Sequence, residues 1–288
     1  MRIGTRGSAL ALAQARLVAG LIGGDVEVVV VSVSGDRRRR PGRDAKGPDK
    51  SRWVDAIEQG LLDGSIDLAV HSAKDVPVEL ADGLELVASP RRADPRDALC
   101  GGESLAALRP GARVGTSSLR RTAQLRTLRA DLDLIELHGN IDTRLRRLND
   151  GEFDAIVLAR AGLQRLGRDE GAPLDELVPA AGQGTLALEA RLGDESVAAA
   201  VAPLRDRETE VALASERALV RTLGADCQTA LGAHAILAGE RIELRAWIGL
   251  ADGSAWVSDE MAGGDPRKLG REVGERLLAV GAGEMLAA

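Results

Sequence analysis

One pattern occurs twice in this chain of 288 residues, and it constrains the fold more than any other feature. Arg2-Ile3-Gly4-Thr5 and Arg113-Val114-Gly115-Thr116 agree in type and order, and each runs into a helical segment. Later in each half, Asp63-Gly64-Ser65-Ile66-Asp67-Leu68-Ala69-Val70 is echoed by Asp150-Gly151-Glu152-Phe153-Asp154-Ala155-Ile156-Val157. Short apolar runs bounded by Gly and Asp read as buried strands, and strands alternating with helices predict α/β units. Two echoes in the same order therefore predict two similarly built α/β domains. The spacing between the echoes differs between the halves, so the expected likeness is one of topology.

Local pattern supplies the other elements. Ser8 is a candidate N-cap for a helix on which Leu10, Leu17 and Leu21 share a face. The Val-rich run Val26 to Val33 predicts a strand buried on both faces. The stretch 35–51 is charged and rich in Gly and Pro, a loop in which Arg37 to Arg40 are solvated, and a helix follows over about Val54 to Asp63. Pro90 and Pro95 mark a crossover between domains, and the Gly- and Pro-containing segment Val178 to Gly184 marks the return. Beyond it come a helix from Glu208 to Leu223 and strand-like runs at His234 to Leu237 and Ile242 to Leu250. An Asp252-Gly253 turn and a last helix from Pro266 to Ala279 complete this part. The expected domains are 1–91 with 184–205, then 92–183, both α/β, and a small α+β domain over 206–288. Ligands favour clefts between domains, so the site is expected where the three meet.

Composition removes several function classes. Apolar residues make up 44% and charged residues 28%, the balance of a soluble globular protein. Three Trp, one Phe and no Tyr leave few stacking platforms for single-stranded nucleic acid, and a net charge of −6 argues against nucleic-acid binding in general. No apolar signal region and no transmembrane-length run is present, which predicts a cytoplasmic protein without a membrane partner. The two cysteines, Cys100 and Cys227, form no disulfide framework, and Cys100 follows apolar residues and reads as structural. Neither His71 nor His234 has metal-ligand spacing, and no metal is expected.

The polar end of one strand is the candidate site. Ile66 to Val70 empties into His71, Ser72, Lys74 and Asp75 before Pro77 ends the ladder. Strand ends of this kind are where α/β proteins hold ligands. Asp75 reads either as a turn cap or as a catalytic acid. Three segments look like anion cradles: Thr5-Arg6-Gly7-Ser8, Thr116-Ser117-Ser118, and Gly139-Asn140-Ile141-Asp142-Thr143-Arg144. Around the latter two lie Arg120, Arg121, Arg144 and Arg165, either solvated or a set of planar forks for a ligand with many carboxylates. Cys227 lies in a polar loop and reads either as a small buried hydrophobe or as a nucleophile.

Taken together these segments resemble the porphobilinogen deaminase family, also called hydroxymethylbilane synthases. The likeness runs nearly end to end: Arg2 to Arg6, Ala69 to Pro77, Asp94 to Ala98, Val114 to Arg121, Gly139 to Leu145, Ala161 to Gly167, and Cys227-Gln228. The resemblance implies a dipyrromethane cofactor attached by a thioether to Cys227. On it, four porphobilinogen units are joined head to tail with loss of ammonia to give hydroxymethylbilane, a step of tetrapyrrole and haem biosynthesis. It further implies that Asp75 stabilises cationic pyrrole species, and that Arg6, Ser8, Ser72, Lys74, Ser118, Arg120, Arg121, Arg144 and Arg165 hold acetate and propionate groups. A monomer is implied as well.

Departures from the family pattern touch the site. His138 stands where the family has Arg, so one carboxylate contact is expected to be weaker. Lys50-Ser51-Arg52-Trp53 replaces Lys-Gly-x-Phe, and Trp53 is expected over a pyrrole ring. Ala225-Asp226 replaces Gly-Gly before the attachment residue. Two domains of periplasmic-binding-protein type around a cleft also suit a non-catalytic carboxylate- or pyrrole-binding protein, and the departures suit a poorly active deaminase paralogue.

Overall fold

A computed structural model describes residues 1–31, 51–226 and 229–287, with only the backbone of 51–53 and 287. Of the loop expected over 35–51, all but Ser51 lies outside the described residues, and Ser51 already opens a helix. The chain forms two compact units, Met1–Arg92 with Thr185–Glu210 and Ala93–Gly184 with Val211–Ala288.

The first unit begins with β1 (Arg2–Thr5), α1 (Ala9–Ile22), β2 (Glu27–Val30), α2 (Ser51–Leu62), β3 (Leu68–Ser72) and β4 (Leu84–Ala88). The second then builds β5 (Asp97–Cys100), β6 (Arg113–Thr116), α3 (Leu119–Leu128), β7 (Asp133–Glu136), α4 (Ile141–Asn149), β8 (Ala155–Ala159), α5 (Arg160–Arg165) and β9 (Ala172–Leu174). The chain returns for β10 (Leu186–Arg191) and α6 (Glu195–Val201), and α7 (Arg207–Leu223) leads out again. β11 (Leu231–Ala238), β12 (Arg241–Gly249), β13 (Trp256–Gly263), α8 (Pro266–Ala279) and α9 (Ala282–Ala287) follow.

Two five-stranded sheets share one plan. The first runs β2-β1-β3-β10-β4 and the second β7-β6-β8-β5-β9. In each, the first three strands are parallel and the fourth is reversed, and that reversed strand directly follows a crossover. These are two mixed α/β sheets of one topology, and β11-β12-β13 make the small antiparallel C-terminal sheet.

The echoes are the clasp that sets each frame. Asp67 accepts from the Arg2 backbone N–H at 2.8 Å and from its guanidinium at 2.7 Å, while that guanidinium also donates to the Gly64 carbonyl at 2.7 Å. Asp154 accepts from the Arg113 N–H at 2.7 Å, and Arg113 donates to the Gly151 carbonyl at 3.0 Å. The Arg113 backbone and side-chain hydrogen bonds hold the Asp154 carboxyl down at about 2, and the Arg2 side chain likewise lowers Asp67. Strand glycines complete the likeness. A Cβ on Gly4 would overlap the Ile66 side chain, and one on Gly115 would press on Phe153, the residue equivalent to Ile66. The likeness thus extends beyond topology to individual side-chain bonds.

Two sequence expectations fail on helix face and strand burial. α1 buries Gln14, Ala15 and Val18, while Leu17 and Leu21 are about half exposed. The narrow Ala-containing face lets the helix lie close on β1 and β3, and the larger leucines fall outside it. β2 spans only Glu27–Val30 and lies at the edge of its sheet, with Val30 53% exposed, so the valine run is not buried on both faces. The edge position leaves it no neighbour on one side.

In the second unit α7 and α8 cover the C-terminal sheet around Leu219, Leu244, Val273 and Leu277. Glycines at Gly270 and Gly274 let the two helices approach, since a Cβ at Gly274 would lie 2.7 Å from Thr222. Ala123, Val178, Ala230 and Trp247 form a buried cluster joining α3 to β12.

Candidate active site

β3 ends in a single tight turn, Ala73–Asp75, and there the polar residues gather. A small pocket in the first unit, of about 80 Å³, is lined by Arg6, Ser8, Gln14, His71, Ser72 and Asp75 among others. Ser8 caps α1, accepting from the Ala11 N–H at 3.3 Å, and Ser72 accepts from the Gln14 amide at 2.8 Å. Lys74 and Asp75 are both partly exposed on the turn. The parallel register equates Leu68 with Ala155, and seven residues on this equates Asp75 with Gly162. In the second unit the equivalent strand runs into α5 and carries no acid at this position, so Asp75 is an addition to the shared frame.

Three buried titratable groups meet at the pocket, His71 in its lining and Glu189 and Glu58 outside it. His71 Nε2 is 3.0 Å from Glu189 Oε2, with the two side chains 7% and 0% exposed. Glu58 on α2 is buried too, and burial followed by the charge of Glu189 pushes its carboxyl above the usual carboxylate range. A raised folded-state pKa means that the ionised form is penalised in the fold. The penalty is absent below the unfolded value of about 4.3 and grows as pH rises through the folded value. Glu58→Gln should therefore raise the unfolding temperature clearly at pH 8 and hardly at pH 4. Calorimetry at both values checks this, and a gain confined to pH 4 would contradict it.

The second unit has its own group of arginines. Asp97, fully buried at the start of β5, takes both Arg120, at 2.8 and 3.2 Å, and Arg121, at 2.9 Å. Burial alone would raise this carboxyl, but the two guanidinium charges and the Arg120 and Gln183 hydrogen bonds outweigh it and hold it far below the usual range. Arg120 also donates to the Val178 carbonyl and Arg121 to the Val157 carbonyl. Both residues were expected on a ligand; here their forks bind Asp97, and the Arg120 Nε is buried without a hydrogen-bond partner. Two guanidinium charges against one carboxylate leave this cluster a net positive charge.

Arg144 and Arg165 are different. Arg144 donates to the Gly139 carbonyl at 2.8 Å and the Ser117 hydroxyl at 3.0 Å, and Arg165 to the Gly184 carbonyl at 2.7 Å. Neither pairs with a carboxylate among the described residues. Burial, with repulsion from Arg121 in the case of Arg144, pulls both guanidinium groups down to about 10. Ser118 caps α3, accepting weakly from the Arg121 N–H at 3.5 Å. His138 is exposed and sits 2.8 Å from Glu136 rather than on a cradle. Cys227 and Gln228, and the side chain of Trp53, lie outside the described residues. Cys100 is buried, and burial pushes its thiol up to about 11, in keeping with a structural residue.

Sequence reading missed Gln14, Glu58, Asp97 and Glu189. The one available signal was polarity inside apolar runs, as at Glu189 within Leu186 to Ala190. No described helix is long and apolar enough to cross a membrane.

Comparison with known proteins covers both units. The family model for the porphobilinogen deaminase dipyrromethane cofactor binding domain matches residues 1–199, and the model for the porphobilinogen deaminase C-terminal domain matches 211–279. A relative from Roseiflexus sp. (strain RS-1), named porphobilinogen deaminase, is 47% identical over 99% of this chain and 98% of its own. One of the same name from Deinococcus radiodurans is 42% identical over 99% and 97%. Among solved structures, a periplasmic substrate-binding protein of an ABC transporter from Coxiella burnetii is 14% identical. That match covers 73% of this chain and 94% of the other with a TM-score of 0.43. The two family models cover nearly the whole length, and the near-complete relatives agree with them: this chain belongs to the porphobilinogen deaminase family.

Proposed function

We propose that this enzyme is a hydroxymethylbilane synthase, joining four porphobilinogen units head to tail with release of ammonia. The observation that carries the reading is the pair Arg144 and Arg165, cations half-removed from water with no carboxylate partner among the described residues. A desolvated guanidinium is costly unless an anion completes it. A dipyrromethane bears acetate and propionate groups, so these residues fit that cofactor. When bound, the cofactor supplies a pyrrole with a free α-position as the primer for chain growth.

The chain's own residues divide the remaining work. Arg144 and Arg165 offer planar two-bond forks to carboxylates, which Lys cannot match. Arg120 and Arg121 add the net positive charge left over from Asp97, and Ser118 and Lys74 add donors. In the first unit Arg6, Ser8 and Ser72 line the pocket with Asp75 and bind substrate. Ionised Asp75 only accepts hydrogen bonds, which suits it to pyrrole N–H groups and to a cationic intermediate. Trp53 and His138 are assigned to substrate binding by position in the family pattern, and the Glu136 beside His138 weakens its share. The domain over 206–288 carries Cys227, the attachment residue. The reading includes a cytoplasmic monomer, and the net charge of −6 supports the absence of nucleic-acid partners.

Intact-mass measurement of protein from a haem-competent host tests the reading. The expected mass exceeds that of the bare chain by one dipyrromethane, and Cys227→Ser removes the addition. A bare-chain mass in the unaltered protein, or no bilane formed from porphobilinogen, would overturn it.

A further inference from the structure

His71 is used by neither the frame nor the carboxylate cradles, yet it is built into the pocket with unusual care. Its ring lines the same pocket as Asp75 and is 7% exposed. Glu189 comes from β10, the reversed strand, and its carboxylate is fully buried. Its Oε2 meets His71 Nε2 at 3.0 Å, while its Oε1 is buried with no hydrogen-bond partner. That contact is the one side-chain hydrogen bond of His71 among the described residues, so Nδ1 bonds to no described protein group. A histidine held only for packing normally satisfies both ring nitrogens, because an unpaired buried polar atom is costly. Here one edge is anchored by a carboxylate and the other is left for the pocket. The equivalent position in the second unit is Leu158, so the shared frame does not require an imidazole.

We propose that His71 is a general base of the reaction, with Nδ1 facing the substrate, and that Glu189 is the residue that positions it. The proposal rests on the reading that porphobilinogen units are joined here. In each joining step the C–N bond of one unit breaks to release ammonia, a C–C bond forms between its methylene carbon and the α-carbon of the other pyrrole, and the C–H bond at that α-carbon breaks. The electron pair of that bond stays with the ring and restores its aromaticity, and the proton passes to His71 Nδ1. The imidazolium so formed lies 3.0 Å from the Glu189 carboxylate, which balances its charge. The ammonia lost in the same cycle then takes the proton and leaves as ammonium, returning His71 to its neutral form. A carboxylate that orients an imidazole and stabilises its charged form, without taking the proton itself, is the arrangement known from hydrolytic triads.

The test combines kinetics with a spectroscopic readout. His71→Gln puts an amide nitrogen near the Nε2 position, keeping a donor for Glu189 while removing the base. With porphobilinogen carrying deuterium at its free α-carbon, the unaltered enzyme should show little isotope effect on kcat. His71→Gln should lose ~10²-fold or more in kcat, within the range for a general base, with KM little changed and the isotope effect clearly larger. Glu189→Gln should show the same pattern more weakly. The chain has three histidines, so ¹⁵N imidazole signals can be assigned by deleting one. In the unaltered protein His71 should show a protonated Nε2 and a bare Nδ1, and Glu189→Gln should erase that preference. An unchanged kcat and isotope effect in a folded His71→Gln, a change in KM alone, or a protonated Nδ1 in the unaltered neutral ring would each overturn the proposal. If His71→Gln does not fold, the tautomer signal and Glu189→Gln decide. Inactivity of the unaltered, cofactor-loaded enzyme on porphobilinogen would instead remove the functional reading itself.

Discussion

An Asp75→Asn enzyme should keep its fold and its attached cofactor yet turn over porphobilinogen roughly 10²–10³-fold more slowly, the range seen when one preorganised electrostatic group is lost. The substitution is nearly isosteric on a partly exposed turn, so stability should change little. The lost quantity is a negative charge at the end of β3, where a cationic pyrrole species needs it most. Because the ground-state substrate uses the charge less than the transition state does, kcat should fall far more than KM rises. Steady-state kinetics with intact-mass confirmation of cofactor loading checks this. Rates within a few-fold of the unaltered enzyme would remove Asp75 from the chemistry and leave it as a turn residue.

Asp97→Asn should act on stability instead, by about 3–5 kcal/mol, the usual cost of removing one partner from a buried ion pair. Asp97 is fully buried, and both Arg120 and Arg121 spend their forks on it. Without the carboxylate two guanidinium groups remain buried with carbonyl partners alone, and each keeps its full charge. Gln183 also donates to Asp97, at 2.9 Å, so the return segment loses a tie to β5. Denaturant unfolding of the second unit should move to a markedly lower midpoint with the slope retained. The native carboxyl is held below its unfolded value, so its contribution is present above about pH 4 and fades as pH falls toward the native value. The deficit of the variant should therefore shrink in acid. A loss under about 1 kcal/mol at pH 7 would mean that water or a bound anion replaces the carboxylate, contrary to its burial.

Much of the frame was legible because its rules are local. α8 runs over Pro266–Ala279, as its pattern predicts, but it is not the last helix, since the short α9 follows it over Ala282–Ala287. The helix ahead of the C-terminal sheet starts one residue earlier than read, at Arg207. The echoes were visible because a buried strand and the acid before it leave a signature of a few residues. Misreadings came where packing outvotes pattern. The leucines of α1 lie on a helical stripe, but the sheet takes the Ala15 and Val18 face because small side chains allow the closer approach. The valines near β2 have strand propensity whether they end in the middle of a sheet or, as here, at its edge.

The site divides in the same way. The place of Asp75 on a polar turn at the end of β3 was readable, since an acid at a polar strand end before proline is a pattern within one stretch of chain. His71 was in view but its buried contact with Glu189 was not, because Glu189 lies 118 residues away on the reversed strand. Arg120 and Arg121 were readable as cations, though not as cations already holding Asp97, 23 and 24 residues upstream. By itself the sequence determined two similar α/β frames, the acid added to one of them and the arginine-rich character of the other. Only the tertiary structure decided which arginines pair with a buried carboxylate and which, among the described residues, do not. Each crossover inserts a reversed strand into a sheet, and side chains brought together by that insertion have no fixed spacing along the chain.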